Sequence, residues 1–274
     1  MTTDPILTRR RALGLLAGAG ASAVVLAACG KSSSNDAADG ASTTAATTSG
    51  TTATDTTDST STSGASCDTA IPEETAGPYP GDGSNGPDAL TTDGVVRRDI
   101  TSSFGGASGT AEGVPLTIEL TIVDTTNNCA PLEGAAVYVW HCDREARYSM
   151  YTEGAEDQNY LRGVQAADAD GKLAFVSIFP AAYSGRWPHV HFEVYDSVAD
   201  ATGGGRPRAT SQLALPKAAC DKVYATSGYE DSVRNMARTS LDSDMVFADG
   251  YAAQLGTVTG DAENGMTVTL TVPV

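Results

Sequence analysis

Three histidines occur in the chain's 274 residues, and two of them stand one residue apart in the run Tyr183-Ser184-Gly185-Arg186-Trp187-Pro188-His189-Val190-His191-Phe192. On an extended strand successive side chains point to opposite faces, so Val190, Phe192 and Val194 share one face while His189 and His191 share the other. Two imidazoles on one face, roughly 6 to 7 Å apart at Cα, can converge on a single ion. Imidazole suits zinc, copper, iron and nickel alike, so the pair alone names no metal. Its neighbours narrow the chemistry. The Ser184-Gly185 turn lets the phenol of Tyr183 fold back over the start of the strand. Arg186 stands between that turn and the histidine pair, three residues before His189.

These residues need a scaffold, and from Cys67 onward the texture is one of short alternating runs divided by Gly, Pro, Asn and Asp. In Leu116-Thr117-Ile118-Glu119-Leu120-Thr121-Ile122 the apolar residues recur at every second position, the period of a half-buried strand. The same reading places strands at Ala135 to His141, Lys172 to Ile178, His189 to Tyr195, Thr210 to Leu215 and Met266 to Val272. Asp168-Ala169-Asp170-Gly171 supplies a turn before one of them. One short helical stretch is expected around Tyr229 to Arg238. Six strands with turn signals between them predict an all-β domain, an antiparallel β-sandwich with long loops.

The strand ending at Trp140 leads into His141-Cys142-Asp143-Arg144-Glu145-Ala146-Arg147-Tyr148-Ser149, followed later by the Tyr183 to Phe192 run and then by Thr210-Ser211-Gln212-Leu213. Glu74-Thr75-Ala76-Gly77-Pro78-Tyr79 and Arg97-Arg98-Asp99-Ile100 precede this core, and Asp244-Met245-Val246-Phe247 follows it. In order and spacing the set resembles the intradiol ring-cleavage dioxygenases, especially their secreted relatives, over most of residues 67–274. The resemblance implies a mononuclear non-haem Fe(III) held by two tyrosinates and two histidines, which by position are Tyr148, Tyr183, His189 and His191. It implies cleavage of a catechol-type aromatic ring by O2 to a cis,cis-muconate-type diacid. Tyr183 would serve first as ligand and then as base, with Arg186 and Gln212 near the reacting ring and Pro78 and Tyr79 lining the substrate pocket. Phenolate is a hard, anionic ligand that favours ferric over ferrous iron, which suits this assignment. Tyr151, three residues beyond Tyr148, is the competing candidate ligand; its spacing from Trp140 fits the family less well. Pro80 stands where many relatives have a second tyrosine, so the pocket wall departs from theirs.

Two other readings compete. A copper or zinc site would need His141 together with His189 and His191, and leaves Tyr148, Tyr183 and Arg186 unexplained. A non-catalytic β-sandwich binding module could keep the metal as a structural staple.

The rest of the chain bears on location and partners. Thr8-Arg9-Arg10-Arg11 precedes the apolar run Leu13 to Ala28, the length of an export signal's apolar region and short for a spanning helix. It resembles a twin-arginine signal. Leu26-Ala27-Ala28-Cys29-Gly30 resembles the bacterial lipobox, which implies cleavage of residues 1–28 and lipidation of Cys29. Residues 31 to 66 contain no aromatic residue and no Leu, Ile or Val. Such a stretch cannot bury enough apolar surface to offset chain entropy, so 29–66 reads as a disordered, Ser/Thr-rich linker from a lipid anchor to the domain at 67–274. The expected location is the outer side of a bacterial cytoplasmic membrane, with the membrane engaged through the anchor alone. Formal net charge is −17. The chain beyond residue 66 carries 13 basic and 29 acidic side chains, which excludes nucleic acid as a natural partner. The oligomeric state is left open, a homo-oligomer included, because the helical dimerisation domain of cytoplasmic relatives has no counterpart in 31–66. Cys67, Cys129, Cys142 and Cys220 make an even number in an exported domain, so disulfides are expected, with three possible pairings.

Overall fold

The computed structural model describes Cys67 and residues 69–274. The expected export signal at 1–28, Cys29 and the expected linker to residue 66 lie outside the described residues. Strands β1 (Pro115–Asp124), β2 (Ala130–Pro131), β3 (Ala136–Trp140), β4 (Arg162–Ala166), β5 (Lys172–Ile178), β6 (His189–Tyr195), β7 (Ala209–Ala214), β8 (Thr257–Asp261) and β9 (Gly265–Pro273) build two sheets. The first has the order β2-β1-β9-β8, with β5 also paired to β1; the second runs β4-β3-β6-β7. Three short helices, α1 (Val198–Thr202), α2 (Lys217–Tyr224) and α3 (Glu230–Met236), lie in the connections. Among the described residues no helix is long and apolar enough to cross a membrane.

The fold is an all-β sandwich, as the alternation predicts, with one difference in strand direction. β1 and β9 pair in parallel, Leu116 opposite Met266 through Val123 opposite Pro273. Parallel neighbours need a long crossover. Here the connection contains the entire second sheet, so the first and last long strands of the domain can meet side by side.

The layer between the sheets is built from alternate residues: Leu116, Ile118, Leu120 and Ile122 of β1 face Val137 and Val139 of β3 and Val190, Phe192 and Val194 of β6. All of β3 and all of β6 are nevertheless buried. Their second face, carrying Tyr138, Trp140, His189, His191 and Glu193, is covered by loops rather than by another sheet. The segment before β1, the β3–β4 loop at 141–161, and residues 179–188 between β5 and β6 provide that cover.

The expectation for the cysteines is corrected in part. Cys67 and Cys129 form a disulfide, with Cα atoms 6.0 Å apart. Cys142 and Cys220 are free thiols. Each is buried in a different apolar cluster, with Cys142 Sγ 3.6 Å from Ala181 O and Cys220 Sγ 3.9 Å from Leu215 O. Both are packed as small apolar side chains, and burial pushes both thiols up, which keeps them protonated.

Candidate metal centre

The pairing of β3, β6 and β7 sets the floor of the site. His191 lies opposite Trp140 on one side and Gln212 on the other. Its ring stacks on the Trp140 indole at 4.9 Å and 4°. His189, two residues earlier on the same face, lies opposite the small Ala214. Its Nδ1–H donates to Trp187 O at 2.5 Å, which leaves the lone pair on Nε2 and turns it toward the site. The two Nε2 atoms are 3.0 Å apart.

Two loops bring phenols onto this floor. Arg186 N–H donates to Tyr183 O, closing a turn in which Gly185 has φ +83°, and the Tyr183 hydroxyl comes to 3.3 Å from His189 Nε2. Tyr148 is held from the other side by the β3–β4 loop. Asp143 organises that loop: its Oδ1 accepts the N–H groups of Glu145 and Arg147, and its Oδ2 accepts Arg147 Nε and the Tyr160 hydroxyl. Ala146 and Met150 flank Tyr148 with φ +65° and +72°, left-handed conformations that cost energy in non-glycine residues and concentrate at functional sites. Tyr148 Oη ends 3.3 Å from Tyr183 Oη and 3.5 Å from His189 Nε2.

Four donor atoms thus stand 3.0 to 3.5 Å from their neighbours in a pocket where Tyr148, His189 and His191 are all but excluded from solvent. Burial pushes the Tyr148 phenol well above its usual range and the Tyr183 phenol up to about 12. Burial, reinforced at His189 by the nearby Arg186 charge, pushes His189 down to about 3 and His191 well below its usual value. The protein alone therefore presents two neutral phenols and two neutral imidazoles. With His189 Nε2 carrying a lone pair, a second Nε2 at 3.0 Å and two phenol oxygens around it form the arrangement of donors sharing one small cation. His191 Nδ1 is buried without a partner, so no hydrogen bond of its own turns Nε2 away from that point. The donor set fits a ferric ion, since phenolate favours the higher oxidation state.

The remaining predicted residues are placed as follows. Arg186 donates from Nε to Asp244 Oδ2 at 2.9 Å and from Nη2 to Gln212 Oε1 at 2.6 Å. Gln212 Nε2 donates to Thr75 O, which fixes the amide's orientation. Tyr79 packs its ring 4.9 Å from that of Tyr148 and is 36% exposed, and Pro78 beside it is exposed at the rim. Tyr151 stays outside the donor cluster: its hydroxyl accepts Gly81 N–H at 2.8 Å and donates to Asn85 Oδ1 at 2.6 Å. His141 faces away, with Nδ1 2.8 Å from Cys142 O and Nε2 2.7 Å from Ser177 Oγ. The three-histidine copper or zinc site is therefore not assembled. Among the described residues no group of three or more His, Cys, Asp or Glu side chains is gathered for a metal.

Three contributors escaped the sequence reading. Asp244, fully buried, holds Arg186 and accepts Trp187 N–H at 2.6 Å. Gly77, at φ +72°, lies so close that a Cβ there would stand 3.4 Å from His191 Cε1. Arg162 is buried beneath the Tyr79 and Tyr148 loops. The first two sit inside stretches already noted for their pattern; nothing local marks the third.

Residues 86–203, which include all four donors, match the family model described as "Dioxygenase". The match spans 118 of the chain's 274 residues, and over that span the chain is similar to this family. A 53-residue stretch is 38% identical to the chlorocatechol 1,2-dioxygenase of Rhodococcus opacus, spanning 19% of this chain and 21% of that protein, so only about a fifth of the curated relative's length is matched. The fold is shared with an intradiol ring-cleavage dioxygenase of Tetranychus urticae, at TM-score 0.55 and 21% identity over 66% of this chain and 88% of that one. A second dioxygenase crystal structure aligns at TM-score 0.54 and 21% identity, over 66% of this chain and 87% of that one.

Proposed function

We propose that this protein is a non-haem Fe(III)-dependent dioxygenase that opens a catechol-type ring between its two hydroxylated carbons, using O2, to a cis,cis-muconate-type diacid. The observation that carries this reading is the convergence of Tyr148, Tyr183, His189 and His191. These four residues would hold the ion. When bound, the ferric ion would supply Lewis-acid activation of a catechol substrate.

The protein's own groups then have distinct tasks. Tyr183 Oη is the base best placed to take a catechol hydroxyl proton: its burial makes the phenol hard to ionise, so a phenolate there would hold that proton firmly. Tyr148, more deeply buried and tied through its backbone N–H to Thr152 Oγ1, stays in place. Trp187 O keeps the His189 proton on Nδ1 throughout. The Arg186 guanidinium, set by Asp244 and Gln212, presents fixed positive charge where negative charge develops on the ring oxygens. The bare Cα of Gly77 leaves room beside His191, and Tyr79 walls the opening. The product is a dianion, and a chain of net charge −17 favours its departure.

The test is the purified, iron-loaded protein. We expect about one iron per chain, an intense visible band from tyrosinate bound to ferric iron, and oxygen uptake with catechol, protocatechuate or hydroxyquinol. Colourless protein filled with zinc would sink the reading; iron-loaded, coloured but inert protein would favour a binding module stapled by its metal. We also propose export by the twin-arginine route and anchoring through Cys29, supported by residues 8–30. Labelled fatty acid should be incorporated by wild type and not by Cys29→Ala.

A further inference from the structure

Arg162, the first residue of β4, is 1% exposed yet meets no carboxylate among the described residues. A buried guanidinium without a counter-ion is costly unless its N–H groups are satisfied. Here the oxygens come from two loops that are remote in sequence. Nη1 donates to Pro80 O at 2.7 Å and Nη2 to Tyr79 O at 3.0 Å, on the segment that carries the Tyr79 wall. Nε donates to Ser149 Oγ at 3.0 Å and Nη2 to Ser149 O at 2.9 Å, one residue beyond Tyr148. Nη1 also reaches the Tyr138 hydroxyl, which itself donates to Pro80 O. The fit is tight, because a Cβ at Gly81 would stand 2.6 Å from Nη1.

We propose that Arg162 is a positioning residue that fixes the Tyr79–Pro80 wall against the Tyr148 loop and thereby sets which ring substituents the site accepts. The proposal rests on the ring-cleavage reading for its second half only. A planar fork with five donors holds two loops in one register; an ammonium on a flexible stem has three donors at one point and cannot span the same oxygens. Arg162→Lys therefore keeps the charge and removes the geometry, which separates positioning from electrostatics.

The experiment measures full-length wild type and Arg162→Lys in two ways. Hydrogen exchange followed by peptide mapping needs neither iron nor substrate. Residues 76–86, whose Gly81 amide is held by Tyr151, should exchange at least about ten-fold faster in the variant, while β1 and β6 keep their protection. In the iron-loaded protein, the ratio of kcat/KM for catechol over a bulkier 4-substituted catechol should fall about ten-fold, through KM. The visible tyrosinate band should not move. Unchanged exchange at 76–86, or acceleration spread equally through the strands, overturns the clamp, as does an unchanged substrate ratio in an active enzyme. If Arg162→Lys does not fold, Ser149→Ala removes one acceptor and is judged by the same exchange criterion. If wild type cleaves no catechol, the function reading fails while the exchange result still decides whether Arg162 holds the wall.

Discussion

The two faces of β6 are equally buried and chemically opposite. Val190, Phe192 and Val194 pack into the layer between the sheets, whereas His189, His191 and Glu193 lie beneath loops on the other side. The inner face is what a strand needs to fold. The outer face works against folding: it buries two imidazoles and a carboxyl that burial pushes up to about 7, held by the Tyr195 hydroxyl at 2.7 Å. Desolvated polar groups are retained at such a cost where they do chemistry, so the contrast between the faces separates scaffold from site along one seven-residue strand.

The sharpest way to break that contrast is to remove one side chain from each face. Phe192→Ala should cost about 3–5 kcal/mol in urea unfolding and leave whatever protein folds able to bind iron. His191→Ala should cost about 1–2 kcal/mol, lose the stack on Trp140, and abolish iron retention and oxygen uptake altogether. Equal effects on stability, or an iron-binding His191→Ala, would mean that the faces do not divide the labour as argued. Next in size are Tyr148→Phe and Tyr183→Phe. Each removes one oxygen from the donor cluster, so each should shift or abolish the visible band and reduce turnover by at least about a hundred-fold. A variant that kept both band and rate would remove its residue from the centre.

The inner face was legible because its period is simple. Alternation located β1, β3, β5, β6, β7 and β9 to within a few residues, since each has one side in the same apolar layer. It missed β4, where Arg162 occupies a buried position and Gly163 interrupts the pattern, and β8, which is almost wholly exposed. The short α1 and α2 also went unread, having too few turns to show a period. The candidate donors were singled out through motif order rather than through burial, and the structure brings those four side chains together. What that order could not show was the support between distant segments. Asp244 reaches Arg186 across 58 positions, and Arg162 reaches Tyr79 across 83. The direction of β9 was hidden for the same reason, as it depends on a partner nearly the whole domain away.

Asp244 tests this distant support with a pH dependence. Burial alone would raise its carboxyl, but the N–H groups of Trp187 and Val246 and the Arg186 guanidinium outweigh it, so the net shift is downward. A carboxylate with a depressed folded value adds stability that is fully present above its ordinary range near 3.8 and is lost as pH falls through the folded value. Asp244→Asn should therefore be less stable than wild type by about 2 kcal/mol at pH 7, with the difference shrinking below about pH 4. Urea midpoints at the two pH values decide it. Because Arg186 also loses its anchor, the iron-loaded variant should turn over about ten-fold more slowly with its visible band in place.

The smallest expected effect is the most pointed for the donor assignment. Tyr151 lies three residues from Tyr148, and its ring packs 5.3 Å from that of Tyr79, so by position it belongs to the same neighbourhood. Its hydroxyl is nevertheless spent on Gly81 N–H and Asn85 Oδ1, both on the arm that carries the pocket wall. Tyr151→Phe should remove about 1 kcal/mol, raise KM a few-fold by loosening that arm, and leave the visible band unchanged. The loss would then belong to the wall and not to the metal. If the band bleached instead, Tyr151 rather than Tyr148 would supply the second phenolate, and the left-handed turns that hold Tyr148 in place would need another purpose.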